Sequence, residues 1–91
     1  PGGERGLVNF INQTREYPYD AYMAGVQGRV LCSFIINTDG SVSDISVVRG
    51  CNQLLNREAV RVISEMPKWK AGKMGNKTVP VMYLLPIVFR L

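Results

Sequence analysis

The 91-residue chain contains no histidine and only two cysteines. Without histidine, neither a Ser-His-Asp triad nor a Cys-His pair can form, and the common zinc sites that combine cysteine with histidine are excluded too. The two cysteines, Cys32 and Cys51, are not spaced as a CxxC pair and do not suggest a metal site. The sequence therefore predicts a protein that is not an enzyme and needs neither a metal nor a cofactor.

Long hydrophobic runs are absent as well. The most apolar segment, VPVMYLLPIVFRL at residues 79 to 91, is interrupted by Pro80 and Pro86, and it is shorter than the roughly 18 residues that cross a bilayer. Apolar residues make up 46% and charged residues 20% of the chain, a balance typical of globular domains. We expect residues 1 to 91 to form a single domain with residues 1 to 4 flexible. A start at Pro1 instead of methionine suggests a fragment of a longer protein.

Acidic residues are missing from the last third of the chain. Up to Glu65 there are six arginines and seven acids, and the remainder has no acid but five cations, Lys68, Lys70, Lys73, Lys77 and Arg90. Three interpretations of this basic stretch stay open: a solvated loop, contact with an acidic peptide or surface, and nucleic-acid binding. Nucleic acid is the least favoured, because no row of aromatic side chains offers stacking platforms.

The first quarter of the chain predicts two short helices. RGLVNFINQ, at residues 5 to 13, places apolar side chains at helical spacing. Pro18 suits the first turn of a second helix, which Gly25 or Gly28 would end.

The clearest signal is a β-hairpin. RVLCSFIINTDGSVSDISVVRG consists of two β-branched runs around Asp39-Gly40, a dipeptide favoured in tight turns. The register that sets apolar residues against each other pairs Phe34 with Ile45 and points Cys32 into the core. Two buried or half-buried free thiols are favoured over a disulfide, because the second cysteine would have to fold back towards the first strand.

The second half of the chain predicts a helix and a third strand. In NQLLNREAVRVISEMPKW, Asn56 is expected to cap the helix and Pro67 to end it. Its apolar stripe consists of Ala59, Val60, Ile63 and Met66. Trp69 should pack against the core. A loop rich in glycine and lysine then leads to a strand that begins at Val79.

These elements predict an α+β fold with a β-β-α-β core preceded by one or two short helices. A right-handed crossover brings the third strand beside the first, which gives a three-stranded antiparallel sheet of order 2-1-3 with the helices on one face. One edge of the third strand is then free. Pro80 and Pro86 lack an N–H and share even parity, so even-numbered residues should face the free edge, unless a bulge at Pro86 reverses the parity beyond it.

The order of motifs resembles the C-terminal domain family of TonB, over nearly all of residues 5 to 91. The matching features are Tyr17-Pro18, Ala21, Gly25 and Gly28, followed by RVLCSFIINTDGSVSDISVV, REAVRVISEMPKWKAG and LPIVFRL. Local details are most similar to the Bacteroidetes branch. The resemblance implies a periplasmic module of an energy transducer, tethered to the inner membrane through an N-terminal helix and working with a proton-channel complex.

The resemblance also implies a partner and a binding site. The TonB box, a short periplasmic segment of outer-membrane TonB-dependent transporters, would be added as a strand beside the last strand, coupling the proton motive force to nutrient uptake. The peptide-binding residues implied here are Val79, Val81, Met82, Tyr83, Leu84, Val88 and Arg90. A possible second contact comprises Thr14, Arg15, Glu16 and Tyr17. Structural roles are expected for Pro18, Gly28, Asp39, Gly40, Pro67 and Trp69.

Several alternatives remain at this point. Tyr17 is more readily interpreted as a side chain that packs over the end of the sheet with its hydroxyl in water than as a ligand contact. The same module could be appended to a membrane sensor or peptidase as an interaction domain. The domain could be a monomer or a strand-exchanged homodimer.

Overall fold

The computed structural model describes residues 3 to 91, in which three helices and five strands are found. In chain order they are α1 (Gly3–Thr14), α2 (Tyr19–Met23), β1 (Gly28–Ile36), β2 (Val42–Arg49), α3 (Gln53–Ser64), β3 (Gly72–Met74), β4 (Lys77–Val79) and β5 (Val81–Phe89). The expected flexibility of residues 1 to 4 falls partly on residues 1 and 2, which lie outside the described residues. Among residues 3 to 91, no helix is long and apolar enough to span a membrane.

The main sheet confirms the predicted topology. Its strands are antiparallel in the order β2-β1-β5, so β1 is central and the last strand lies beside the first. The ladder between β1 and β5 runs without a register shift from Gly28 opposite Phe89 to Ile36 opposite Val81. No bulge therefore reverses the parity at Pro86.

The core lies between one face of the sheet and the helices. In β1, side chains of even-numbered residues from Val30 to Ile36 are buried, and their neighbours are more exposed. The other buried apolar residues are Ile11, Ala21, Leu55, Ala59, Val62, Ile63, Ile87 and Phe89. Burying a large apolar side chain contributes roughly 1.5–3 kcal/mol, so this cluster is the main source of stability.

The hairpin prediction is confirmed at one end and wrong at the other. Cys32 lies opposite Val47 as predicted, but the register shifts between Ser33 and Ile35, and Ile35 lies opposite Ser43. At the turn, the Asn37 N–H donates to the Ser41 carbonyl, whereas the predicted register, in which Phe34 lies opposite Ile45, would place Thr38 opposite Ser41. Phe34 consequently faces a bulge of two residues, 44 and 45, instead of Ile45 alone.

Helix α3 begins earlier than the sequence predicted. Asn52, not Asn56, is the N-cap, and its side chain accepts hydrogen bonds from the N–H groups of Leu54 and Leu55. Asn56 lies one turn inside the helix, where its side chain accepts a hydrogen bond from the Cys51 N–H. The buried stripe correspondingly includes Leu55 and Val62 and not Val60.

The predicted loop of glycine and lysine is instead a second hairpin. Strands β3 and β4 pair with each other, with Gly72 opposite Val79 and Met74 opposite Lys77. Gly75, whose φ is +63°, and Asn76 form a two-residue turn, a known hairpin signal that the prediction of a loop overlooks. Val79 therefore belongs to this hairpin, and Pro80 lies between β4 and β5 instead of inside the edge strand.

Candidate functional site

The candidate site is the outer edge of β5. This nine-residue strand pairs with β1 on one side, and on its other side no strand among residues 3 to 91 pairs with it. The unpaired backbone groups of such an edge are a template for an additional strand.

Pro86 fixes which backbone groups face that edge. It lies opposite Leu31 in the ladder and has no N–H to donate, so this pair cannot be a hydrogen-bonded one. Because hydrogen-bonded and non-hydrogen-bonded pairs alternate in an antiparallel ladder, odd-numbered residues of β5 bond to β1. The N–H groups of Met82, Leu84 and Val88 therefore point to the open edge.

The side chains along this edge are unusually apolar for an exposed surface. Met82 is 66% exposed and Leu84 is 58% exposed, and both lie on the sheet face turned away from the helices. Tyr83 points to the helix side, where its ring stacks on Phe34 with the ring centroids 5.8 Å apart. The edge thus offers apolar contacts on both faces of the sheet.

A groove of about 480 Å³ separates the edge from α1. Its lining residues come from two segments, Leu7, Val8, Ile11, Asn12 and Arg15 on one side and Tyr83, Leu84, Leu85, Pro86 and Val88 on the other. Its volume falls in the range of roughly 300–1,000 Å³ typical of ligand pockets. The open strand edge and this groove form one continuous surface.

Arg61 of α3 fixes the segment that follows α1. Its guanidinium forms two hydrogen bonds of 2.7 Å with Glu58, contacts Glu65, and donates to the Thr14 carbonyl at 2.8 Å. Glu58 also accepts the Glu16 N–H at 2.7 Å. The Glu16 carboxylate lies 3.6 Å from the Arg61 guanidinium.

The pKa values of Glu58 and Arg61 are both shifted so that the charged forms are favoured. Burial alone would raise the pKa of Glu58, but the hydrogen bonds from Arg61 and from the Glu16 N–H hold that pKa below its usual value. The hydrogen bond to Glu58, together with that to Glu65, raises the pKa of Arg61. The connection between α1 and α3 is therefore a charge-assisted one.

The structure separates the four residues expected at a second contact. Thr14 and Glu16 are bound to α3, whereas Arg15 lines the groove beside β5. The Tyr17 hydroxyl donates to the Val26 carbonyl and is not left to water, and the Tyr17 ring packs edge-to-face on Phe89 at 5.7 Å. Arg15 alone of the four is brought to the edge strand.

Two of the residues implied for peptide binding lie outside β5. Val79 pairs with Gly72 in the second hairpin, and Arg90 follows the last residue of the strand. Val81 and Tyr83 lie in the strand, but their backbone groups are directed to β1. Met82, Leu84 and Val88 remain as the residues that face the open edge.

The residues expected to have structural roles lie at helix ends, at a close approach to Cys51 and in the β1–β2 turn. Pro18 is the N-cap of α2, and Pro67 follows α3. Gly28 opens β1 so close to Cys51 that a Cβ would lie 3.0 Å from its Sγ. The Asp39 carboxylate accepts the Ser41 hydroxyl and N–H, which lowers the pKa of Asp39.

The two cysteines and Trp69 lie outside the open edge of β5. Cys32 and Cys51 are free thiols, as predicted, but only Cys32 is buried, and Cys51 is exposed where it follows β2. Burial raises the pKa of Cys32. Trp69 is half-buried and packs on the core, with its ring edge-to-face with Phe10 at 6.4 Å. Among residues 3 to 91, no group of acidic or cysteine side chains is arranged to hold a metal ion.

Sequence reasoning missed the contribution of α1 and of the Arg61 cluster to this site. The apolar spacing of Leu7 and Ile11 predicted a helix with one docked face, but nothing in the pattern tells which strand edge it lies against. Glu58 and Arg61 are three residues apart, a spacing that signals a pair on one helix but not its connection to Thr14.

Comparisons with known proteins agree with the fold and with the resemblance. The family model "Gram-negative bacterial TonB protein C-terminal" matches residues 13–91. Protein TonB from Helicobacter pylori strain J99 is 36% identical over 78 residues, which are 82% of this chain and 28% of that protein. Protein TonB from strain 26695 is 44% identical over 78 residues, or 82% and 27% of the two chains. The chain thus spans between a quarter and a third of these relatives.

Solved structures show the same architecture. A solution structure of the C-terminal domain of Helicobacter pylori TonB covers 100% of this chain and 86% of its own, with 32% identity and a TM-score of 0.73. The Pseudomonas aeruginosa TonB C-terminal domain covers 85% and 78%, with 26% identity and a TM-score of 0.65. The chain belongs to the TonB C-terminal domain family.

Proposed function

We propose that this chain is the peptide-binding module of a TonB-type energy transducer. The module docks the TonB box of outer-membrane TonB-dependent transporters as an additional strand on β5. In the full-length protein it lies in the periplasm and is anchored in the inner membrane through an N-terminal helix. There a proton-channel complex supplies the proton motive force that the module passes to nutrient uptake.

One observation supports this proposal above the others. The nine-residue strand β5 is unpaired along its outer edge, and the N–H groups of Met82, Leu84 and Val88 face outwards. An extended peptide gains main-chain hydrogen bonds there, and its alternate side chains contact the two apolar faces of the edge. No catalytic group is required for this role.

The basic end of the chain suits an acidic partner. Lys68, Lys70, Lys73 and Lys77 are all exposed on or beside the β3–β4 hairpin. Positive charge of this kind mainly raises association rates with acidic peptides and adds less to affinity. We expect the rate of peptide association to fall as salt is added.

Binding by a short strand should be weak. Ordering a flexible peptide costs free energy and a single edge pairing buries little area, so we expect a Kd on the order of micromolar to sub-millimolar. The probe is a synthetic peptide that carries the TonB box of a transporter from the same organism, titrated by calorimetry.

Met82→Pro tests the edge because it removes one outward N–H and leaves the ladder with β1 intact. We expect binding to weaken about three- to tenfold, the value of one hydrogen bond. Met82→Ala keeps the N–H and is the matched control for the lost side chain. Equal affinities of these two variants, both with wild-type unfolding curves, would contradict strand addition at this edge.

A further inference from the structure

Helix α1 forms a second wall beside the open edge. Leu7 and Val8 of α1 line the groove together with Tyr83 and Leu85 of β5. Val8 is 53% exposed although it is apolar, and nothing among the described residues covers it. An exposed valine beside an open strand edge is available to contact a ligand.

The dimensions of a sheet determine what would enter this groove. An added strand lies about 4.8 Å from its neighbour, and its side chains point alternately to the two faces. One alternate set of peptide side chains therefore points to the helix side, where α1 stands. The other set lies beside the exposed side chains of Met82 and Leu84.

The position of this wall depends on α3. The carbonyl of Thr14, the last residue of α1, accepts a hydrogen bond of 2.8 Å from Arg61, and the Glu16 N–H donates to Glu58 at 2.7 Å. These bonds fix the end of α1 relative to the sheet, because α3 packs on the sheet through its buried stripe.

We propose that α1 is a specificity-determining wall of the peptide site, and that Arg61 is the positioning residue that holds it. The ligand class is an extended peptide, the transporter's TonB box, whose groove-facing side chains are apolar. This inference rests on the proposed function, because the groove is filled only when a strand is added to β5.

Val8→Asp tests the wall directly, with the same TonB-box peptide as probe. A carboxylate facing apolar peptide side chains would lose part of its hydration when the peptide binds, so we expect binding to weaken about tenfold. Asn9→Asp is the matched control, because it adds the same charge at an exposed neighbour that does not line the groove. Equal affinities of the two variants would overturn the proposal.

Two altered peptides identify the side chains involved. In each peptide, one of the two alternate sets of apolar residues is replaced by serine. The Val8→Asp effect should persist with one peptide and disappear with the other, because only one set faces α1. An effect of equal size with both peptides would show that Val8 acts without contacting the ligand, and would overturn the wall.

Arg61→Lys tests the anchor, since lysine cannot reproduce the fork of hydrogen bonds to Glu58 and Thr14. We expect at least threefold weaker binding, and faster exchange of the Arg15 amide, which donates to the Ile11 carbonyl at 2.8 Å. The peptide that is insensitive to Val8→Asp should also be insensitive to Arg61→Lys. Arg57→Lys makes the same change at an exposed position of α3 and leaves the Arg61–Thr14 bond in place, so it should bind like the wild type. An Arg61→Lys variant that also binds like the wild type would overturn the anchor.

Amide protection separates this proposal from the function on which it rests. If the peptide protects neither Met82 nor Leu84 in the wild type, strand addition itself has failed. If it protects both, and Val8→Asp and Asn9→Asp bind alike, strand addition stands and only the wall is wrong.

Discussion

Gly40 and Trp69 join the β1–β2 turn to the segment that follows α3. The Trp69 N–H donates to the Gly40 carbonyl at 2.8 Å. Gly40 has a φ of +87°, which residues other than glycine rarely adopt. A Cβ on Gly40 would also overlap the Trp69 carbonyl oxygen. The glycine is thus required by two independent constraints.

We therefore expect Gly40→Ala to lower the free energy of unfolding by more than about 2 kcal/mol. Gly25→Ala is the control, because Gly25 has a φ of +70° but no atom near a new Cβ, and it should cost only the backbone strain of about 1 kcal/mol. Urea unfolding followed by tryptophan fluorescence measures both. Equal losses would show that the contact with Trp69 has no energetic weight.

At the scale of secondary structure, the bulge in β2 explains why the predicted pairing of Phe34 with Ile45 was wrong. Val42, Ile45 and Val47 all pack against the core, although residues 42 and 45 have opposite parity in a regular strand. Asp44, with a φ of +54°, is the extra residue that brings both to the same face. Burial of the three apolar side chains outweighs a regular ladder.

Asp44→Gly should stabilise the protein by about 0.5–1 kcal/mol, because glycine adopts a positive φ without strain. Asp44→Asn removes the charge, and asparagine tolerates the same backbone conformation, so this substitution should leave the free energy of unfolding nearly unchanged. Asp44→Val should destabilise the protein, because a β-branched residue is strained there. A stable Asp44→Val variant would mean that the strand prefers the unbulged register in solution.

The elements that the sequence predicted correctly rest on local signals. The β-branched runs around Asp39-Gly40 and the apolar spacing before Pro67 each indicate one structure. The wrong predictions arose where two local signals competed or where the strands were too short to give a clear signal. Asn52 and Asn56 are both possible caps, and only burial of Leu55 decides between them. The β3–β4 hairpin has three residues a strand, too few to show a period.

At the scale of the whole molecule, the candidate site could be predicted only in part. The last strand, its parity and its open edge follow from the order of elements and from Pro86. The groove does not, because it depends on where α1 packs in space. The hydrogen bond from Arg61 to Thr14 joins residues that are 47 positions apart in the chain, and no sequence pattern predicts that they lie close together.

The same cluster predicts how stability depends on pH. The pKa of Glu58 lies below its ordinary value of 4.5 in the folded protein, so its contribution is present above about pH 4.5 and is lost as the pH falls through the folded pKa. Glu58→Gln should cost about 1–2 kcal/mol near pH 7, and its difference from the wild type should shrink as the pH falls through the lowered pKa of Glu58. Glu65→Gln should show a smaller difference throughout, because Glu65 is more exposed. A Glu58→Gln difference that is independent of pH would contradict this account.

The central claim, strand addition on β5, is tested most directly by amide hydrogen exchange with and without the TonB-box peptide. We expect the amides of Met82, Leu84 and Val88 to gain protection, because their N–H groups face the open edge. Val81 and Tyr83, whose backbone groups already bond to β1, should change little. Protection confined to β2 around Asp44 to Val48, or to the helices, would contradict the claim.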